Sequence, residues 1–341
     1  MNIYNPQTQL YEAVWIEGGF VNAHSHLDRA FTVTKENMQS VVYNHLHQKW
    51  KYVDRYKTGA TEEDYYRNIT TALVSQRDML SSHVLSFVDL DPVVGTKAIN
   101  AAVRAKKFAN MLGIGFKVAC QTLKGIMTPE TQKLVVDALE EDKIDIIGSL
   151  PGADKGMEKE HIETVLMLGN IFEKRVHVHV DQLNTAKEKE TELLARQTMK
   201  MGMEGRVTAV HAISLACHPK WYREDVYKMC KDAGLSFVSC PTAWIDARRT
   251  EEMTPTHNAI TPVDELLQHD LVVALGSDNI HDVYKPYSTG DMRTELKFLL
   301  EATHVYDQPT LIKIARENGL EVIGVNDRVT GRDVSKSDGK H

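Results

Sequence analysis

His24 and His26 stand two residues apart in GGFVNAHSHLDRAF. That spacing puts both side chains on one side of an extended strand. Two imidazoles on one face at a strand end can share a cation, each at about 2.0–2.1 Å. The segment RVHVHVDQLN repeats the pattern with His177, His179 and Asp181. His179 is nearer the end of the run and is the better ligand; His177 lies deeper and reads as a core histidine. Burying several imidazoles without partners is costly, so the pair asks for an explanation. VTAVHAISL ends a third apolar run at His211, and VVALGSDNIHDVY places Asp278 just past a fourth. Each has a plainer reading: a HxH pair taken alone is a weak signal, and a lone aspartate after a strand is usually a turn residue or helix cap. Four runs that deliver His or Asp at the same end make a metal site the better reading. Mixed imidazole and carboxylate donors suit zinc, iron(II), manganese or nickel over magnesium or calcium.

The elements that must carry these residues are short β-branched runs. Eight stand out, at 19–23, 83–89, 115–120, 144–150, 176–180, 207–210, 235–240 and 271–275. From the second onward they start roughly every thirty residues, enough for one helix per gap. Helical spacing is visible over 96–112. At 129–139 a helix opens with Thr128 as N-cap and Pro129 at the first helical position. A third helix, 220–233, stops at Gly234. Eight strands alternating with helices predict a parallel sheet closed into a (β/α)8 TIM-like barrel, whose chemistry sits at the C-terminal ends of the strands. The first gap is the exception. Residues 31–80 are rich in aromatics (Tyr43, Trp50, Tyr52, Tyr56, Tyr65, Tyr66) and predict a helical insertion that walls or covers the mouth.

Composition narrows the function classes. The 341 residues are 42% hydrophobic and 26% charged, with a net charge of −7, and fit one globular domain spanning 1–341. A nucleic-acid binder needs a basic face, which this balance does not favour. Cys120, Cys217, Cys230 and Cys240 form no CxxC pair, so neither a disulfide framework nor a thiolate zinc site is expected. The opening MNIYNPQTQLYEAVW has no basic and then apolar segment of a signal peptide, and no run is long enough for a membrane span. The expectation is a cytoplasmic protein that engages a small molecule, with no nucleic-acid or membrane partner and a frayed VSKSDGKH end.

Together, HxH on the first strand, His179, His211 and Asp278 resemble the amidohydrolase superfamily. The likeness sharpens to the branch of cytosine deaminase and N-isopropylammelide isopropylaminohydrolase. HSHLDRAF, HVDQLN, VTAVHAISL, SCPTAWIDARR with ITPVDELL, and GSDNIHDVYKPYSTGDM carry it over about residues 18–300. The resemblance implies one divalent metal ion, zinc or iron first and manganese next, held by His24, His26, His179 and Asp278. IDIIGSLPG lacks the lysine that bridges two metals in binuclear members, and its absence speaks against a phosphotriesterase-like hydrolase. His211 matches the histidine that hydrogen-bonds the attacking water or the substrate. Gln182 falls where many deaminases have a proton-shuttling glutamate; glutamine hydrogen-bonds but does not titrate. This departure puts plain cytosine deamination in doubt and fits loss of a substituted amine. The family's small β-sandwich is expected to be absent or vestigial, leaving surface for a homo-oligomer.

The resemblance implies hydrolysis at an sp2 carbon bearing nitrogen in a small N-heterocycle, with release of ammonia or an amine. Asp278 would take a proton from the water and hand it to the leaving group, His211 would steady the oxyanion, and Gln182 would assist. Expected substrate contacts are Arg29, Gln121, Gln182, Asn279, Trp244 and Asp282. A loop arginine on the surface is as ordinary a reading for Arg29, and Asp89, at the end of the second strand, reads as a loop anchor. Two rival readings share these residues: a cyclic amide (lactam) hydrolase, and a noncatalytic metal- or ligand-binding barrel.

Overall fold

The computed structural model describes residues 5–38, 44–244 and 258–325. Tyr43, the segment 245–249 and the C-terminal VSKSDGKH, all read in the sequence above, lie outside the described residues. Nine strands form one parallel sheet: β1 (Phe20–His26), β2 (Ser81–Asp89), β3 (Gly115–Gln121), β4 (Ile146–Ser149), β5 (Arg175–Val180), β6 (Val207–His211), β7 (Ser236–Ser239), β8 (Val272–Leu275) and β9 (Asp278–Asn279). Their order is β8-β7-β6-β5-β4-β3-β2-β1-β9. Only Gly276 and Ser277 separate β8 from β9, so these two are one strand with a break. Its first half pairs with β7 and its second with β1, and this closes the barrel. Across the break, Gly276 N donates to Ser239 O at 2.9 Å and Ser277 N donates to His24 O at 3.0 Å. A side chain does not fit at Gly276: a Cβ there would lie 2.8 Å from His24 Cβ and 2.9 Å from Cys240 Sγ.

The eight expected runs all form strands, with one extension that matters: β1 continues through His24 to His26 instead of stopping at residue 23. Its pairing with β2 slips between Asn22 and Ser25, a bulge of the kind that re-aims side chains near active sites. Every residue of β1 is buried, as expected of a strand packed on both faces.

Helices fill the gaps: α1 (Pro6–Ile16), α2 (Leu46–Gly59), α3 (Glu62–Asp78), α4 (Lys97–Leu112), α5 (Pro129–Glu140), α6 (Glu158–Ile171), α7 (Glu190–Met201), α8 (Lys220–Asp232), α9 (Val263–Gln268), α10 (Met292–Thr303), α11 (Gln308–Ile312) and α12 (Asn318–Val322). Local chemistry sets their ends. Thr128 accepts from Thr131 N with Pro129 behind it, and Gly113 closes α4 in the left-handed region at φ 72°. The 31–80 insertion contains α2 and α3, both tied to the barrel mouth.

Two cores follow from strand alternation. Val84 and Val88 of β2 face outward into the layer under the helices, together with Ile99, Val118, Val178 and Leu194. Leu85 and Phe87 face inward with Ala119, Ile146, Val210, Val238 and Ala274. Leu320 and Val322 of α12 join this interior cluster. His177 Nε2 donates to Val322 O at 2.9 Å, which accounts for the deeper histidine as a core residue. Cys120 and Cys240 are buried thiols, and no disulfide joins the four cysteines. Among the described residues, no helix is long and apolar enough to cross a membrane.

Candidate metal centre

Four strand ends meet at one point. β1 brings His24 and His26, β5 His179, β6 His211 and β9 Asp278, each no more than 2% exposed. One donor atom apiece from His24, His26 and His179 lie within 4.8 Å of one another, and so do those of His24, His211 and Asp278. Asp278 Oδ1 stands 3.4 Å from His24 Nε2 and 3.2 Å from His26 Nε2. Phe87 forms an apolar floor, with its ring 4.5 Å from that of His24 and 4.8 Å from that of His179. The backbone is unusual where the donors emerge. Positive φ occurs at Asp181 (53°), His211 (74°), Ala212 (52°) and Asp278 (59°). Non-glycine residues in this region cost of order 1–3 kcal/mol each and cluster where geometry serves function.

Burial sets the protonation states. It drives His26 and His211 down to about 3, with the nearby Arg29 cation adding to the effect at His26. Burial also lowers His24, and it lowers His179 well below the usual histidine range. The imidazoles are therefore neutral and keep a lone pair. Burial alone would raise Asp278, but the His24 and His26 side chains outweigh it and hold the carboxyl well below its ordinary range. His179 Nδ1 donates to Ser149 O at 2.9 Å, which directs its Nε2 lone pair into the cluster. His24 Nε2, His179 Nε2, both ring nitrogens of His211 and Asp278 Oδ2 are buried with no hydrogen-bond partner among the described residues. A buried polar atom left so costs about 1–3 kcal/mol. Neutral imidazoles around a carboxylate, with their free atoms converging, fit a divalent cation of the zinc or iron type.

Above the cluster is a cavity of about 20 Å³, walled by His26, Arg29, Gln121, Gln182, Asn279 and Tyr284 and by Leu46 and Trp50 of α2. A volume of this size takes about one water. Gln182, Leu46, Trp50 and Leu150 also border a wider vestibule of about 570 Å³ that runs over the β5–α7 loop.

Arg29 is no surface arginine. It is 3% exposed, donates from Nη1 to Asp89 Oδ1 at 2.8 Å and from Nη2 to Gln121 Oε1 at 3.2 Å, and lies over the Tyr284 ring. Asp89 in turn takes Lys57 Nζ at 3.0 Å, and Asp91 takes it at 2.6 Å, so a fully buried lysine ties α2 to the end of β2. Asn279 lines the cavity and donates from Nδ2 to Asp282 Oδ2 at 2.5 Å.

Three residues lie elsewhere than the sequence suggested. Asp282 does not line the cavity over the histidines: its Oδ1 caps the following turn by accepting from Tyr284 N and Lys285 N. Trp244 packs edge-on against Phe298 of α10, with its Nε1 donating to Ala259 O at 3.3 Å. Asp181 leaves the face shared by His177 and His179 because positive φ breaks the strand alternation there, and its carboxylate accepts from Glu190 N and Thr191 N at the start of α7. Sequence reasoning missed the Ser149 carbonyl, Phe87 and Lys57. The first is a backbone atom without a residue signature, and the other two read as ordinary packing and surface residues. β4, with sequence IIGS, carries no lysine.

Comparison with known proteins adds four findings. Residues 153–332 match the Amidohydrolase family. The chain is 38% identical over 264 residues to an uncharacterized protein of Haemophilus influenzae, covering 76% of this chain and 95% of that one. It is 28% identical over 295 residues to N-isopropylammelide isopropyl amidohydrolase of Pseudomonas sp. strain ADP, covering 81% and 66%. Among solved structures, 5-methylcytosine deaminase of Klebsiella pneumoniae superposes with a TM-score of 0.82 at 23% identity, over 90% of this chain and 75% of that one.

Proposed function

The chain belongs to the amidohydrolase family, and from that premise we propose that it hydrolyses a C–N bond at an sp2 carbon of a small N-heterocycle, releasing ammonia or an amine. The observation that carries this reading is the set of buried neutral imidazoles with unpartnered nitrogens gathered around an anionic Asp278. His24, His26, His179 and Asp278 would hold one divalent cation, zinc or iron(II) first and manganese next. Bound there, such an ion supplies a Lewis acid and brings the acidity of water toward neutrality.

The chain's own groups do the rest. Asp278 accepts a proton from the attacking water through its carboxylate and later delivers it to the departing nitrogen. His211, whose two ring nitrogens have no hydrogen-bond partner among the described residues, donates to the attacking oxygen and orients it, while the electron pair displaced from the ring carbon goes to the ring nitrogen. Gln182 hydrogen-bonds the ring or the leaving nitrogen but carries no proton across, so Asp278 serves both transfers. The Gln121 amide, fixed by Arg29, presents one oriented edge to a ring amide. Asn279 stands beside it.

Metal analysis of the purified protein together with a panel of amino-substituted pyrimidines, triazines and pterins tests the reading. The expected result is near one equivalent of zinc, iron or manganese, lost in His179→Ala, and amine or ammonia release that a chelator stops. A new carboxylate without amine release would assign a lactam hydrolase instead. Metal uptake with no turnover across both substrate classes would leave a binding barrel. No metal after reconstitution would remove the reading altogether.

A further inference from the structure

We propose that Lys285 is a positioning residue for Asp278: its buried ammonium holds the peptide joining Ser277 to Asp278 and thereby aims the Asp278 carboxylate at the histidines. The inference rests on the reading of Asp278 as a metal ligand and proton carrier.

Lys285 follows β9 in the loop to α10 and is 7% exposed. Its Nζ donates to Ser277 O at 2.6 Å, to Thr242 Oγ1 at 2.8 Å and to Glu295 Oε1 at 3.3 Å. An ammonium has three donors, and all three are used. Glu295, on α10 and 2% exposed, accepts from Thr242 Oγ1 at 2.6 Å and from Thr242 N at 3.0 Å. One closed network thus joins the loop after β7, the break in the eighth strand and the first turn of α10.

A buried ion pair is weak evidence for stability, because apolar residues of the same volume often do as well. The position of the Ser277 contact indicates what this one does. Ser277 O and Asp278 N belong to a single planar peptide unit. The first rotation beyond that plane is φ of Asp278, held at 59°, where few non-glycine residues sit. Holding the oxygen fixes the plane, and the plane sets the direction in which Asp278 leaves the backbone. The neighbouring amide is held from β1, with Ser277 N donating to Asn22 Oδ1 at 3.0 Å and to His24 O at 3.0 Å. Lys285 completes this grip from the opposite element. β9 has only two residues of ladder, too little to hold an unfavourable φ by itself.

The test compares Lys285→Met with wild type and with Arg316→Met. Arg316 bonds Gly19 O and Ser82 Oγ at the opposite end of β1, so its loss reports a buried cation removed far from the cluster. Zinc affinity is read by chelator competition, stability by thermal melting, and kcat and KM on the zinc-loaded proteins. Lys285→Met is expected to bind zinc about 10–100-fold more weakly, as for loss of an outer partner of a ligand, and to lose kcat with KM within about threefold. Arg316→Met is expected to melt lower with zinc affinity unchanged. A folded Lys285→Met with wild-type zinc affinity overturns the proposal, as does an equal loss of affinity in Arg316→Met. Should Lys285→Met not fold, Glu295→Gln decides. It keeps the Lys285–Ser277 bond, so its melting point should fall while zinc affinity holds; a tenfold loss of affinity there overturns the proposal. Wild-type protein that takes up no zinc would sink the metal reading instead, which separates the two failures.

Discussion

Asp278 concentrates the chemistry proposed for this site in a single side chain. It is buried, anionic, one of five donors converging on one point, and in a backbone conformation that disfavours most residues. Asp278→Asn keeps the shape and removes both the charge and the ability to carry a proton. Turnover is expected to fall by at least about 10²–10⁴-fold, the range typical of a lost general acid–base. Steady-state assay of metal-replete variant checks this, and retained activity would show that another group moves the proton. Gln182 raises the complementary point. Gln182 does not titrate, and burial keeps the Tyr284 phenol protonated, which leaves Asp278 as the carboxylate lining the inner cavity among the described residues, beside histidines that burial keeps neutral.

At the scale of elements, the β5–α7 connection shows how a strand end is held at a site. Asp181 accepts from Glu190 N at 2.8 Å and Thr191 N at 3.1 Å, while Glu190 Oε2 accepts from Asp181 N at 3.0 Å. The two carboxyls cap each other's backbone and fix the loop that carries Gln182. Burial raises the Glu190 carboxyl well above its usual value, with Asp181 and Glu188 adding to the effect. A carboxyl raised on folding binds its proton more tightly in the native state. Between the ordinary glutamate value and the raised one, the native state holds more protons than the unfolded chain, so stability falls as pH rises through that window. Glu190→Gln can still accept from Asp181 N and removes the titration. Its melting temperature should exceed wild type near pH 7–8, and the gain should vanish below about pH 4. Thermal melts at a series of pH values would show this; a gain independent of pH would mean the carboxyl is ionised normally.

Over the whole molecule, the barrel is a packed ring that tolerates no added atoms at its narrowest points. A Cβ at Gly148 of β4 would lie 2.0 Å from Cys120 O and 2.5 Å from Phe87 Cε1. Phe87 is also the floor beneath His24 and His179. Gly148→Ala must therefore move β3 or push Phe87 toward the histidines. It is expected to destabilise by about 1–3 kcal/mol or more and to weaken metal binding with it. Gly59→Ala, where an added Cβ meets nothing within 4 Å, is the neutral control. Equal melting temperatures for the two variants would show that the ring relaxes freely.

The sequence by itself determined the barrel and the residue types at its mouth. β-branched runs at regular spacing, helix caps such as Thr128 and stops such as Gly234 are local signals, decided by side-chain shape and a few neighbouring atoms. His24, His26, His179, His211 and Asp278 were legible for a related reason: few residue types can ligate a cation, and they recur at strand ends where a barrel gathers them. Only the tertiary structure decided the pairings between distant segments. Arg29 reads as a loop residue until Asp89 and Gln121 close on it, and Lys57 reads as a helix surface residue until β2 buries it. Asp181 and Trp244 turn away from the cluster because of a backbone rotation and a neighbouring ring that no local pattern announces. The break in the eighth strand, and the lysine that grips it, exist only once β1, β7 and α10 meet, because a hydrogen bond between segments is set by where the fold places them and not by their own spacing.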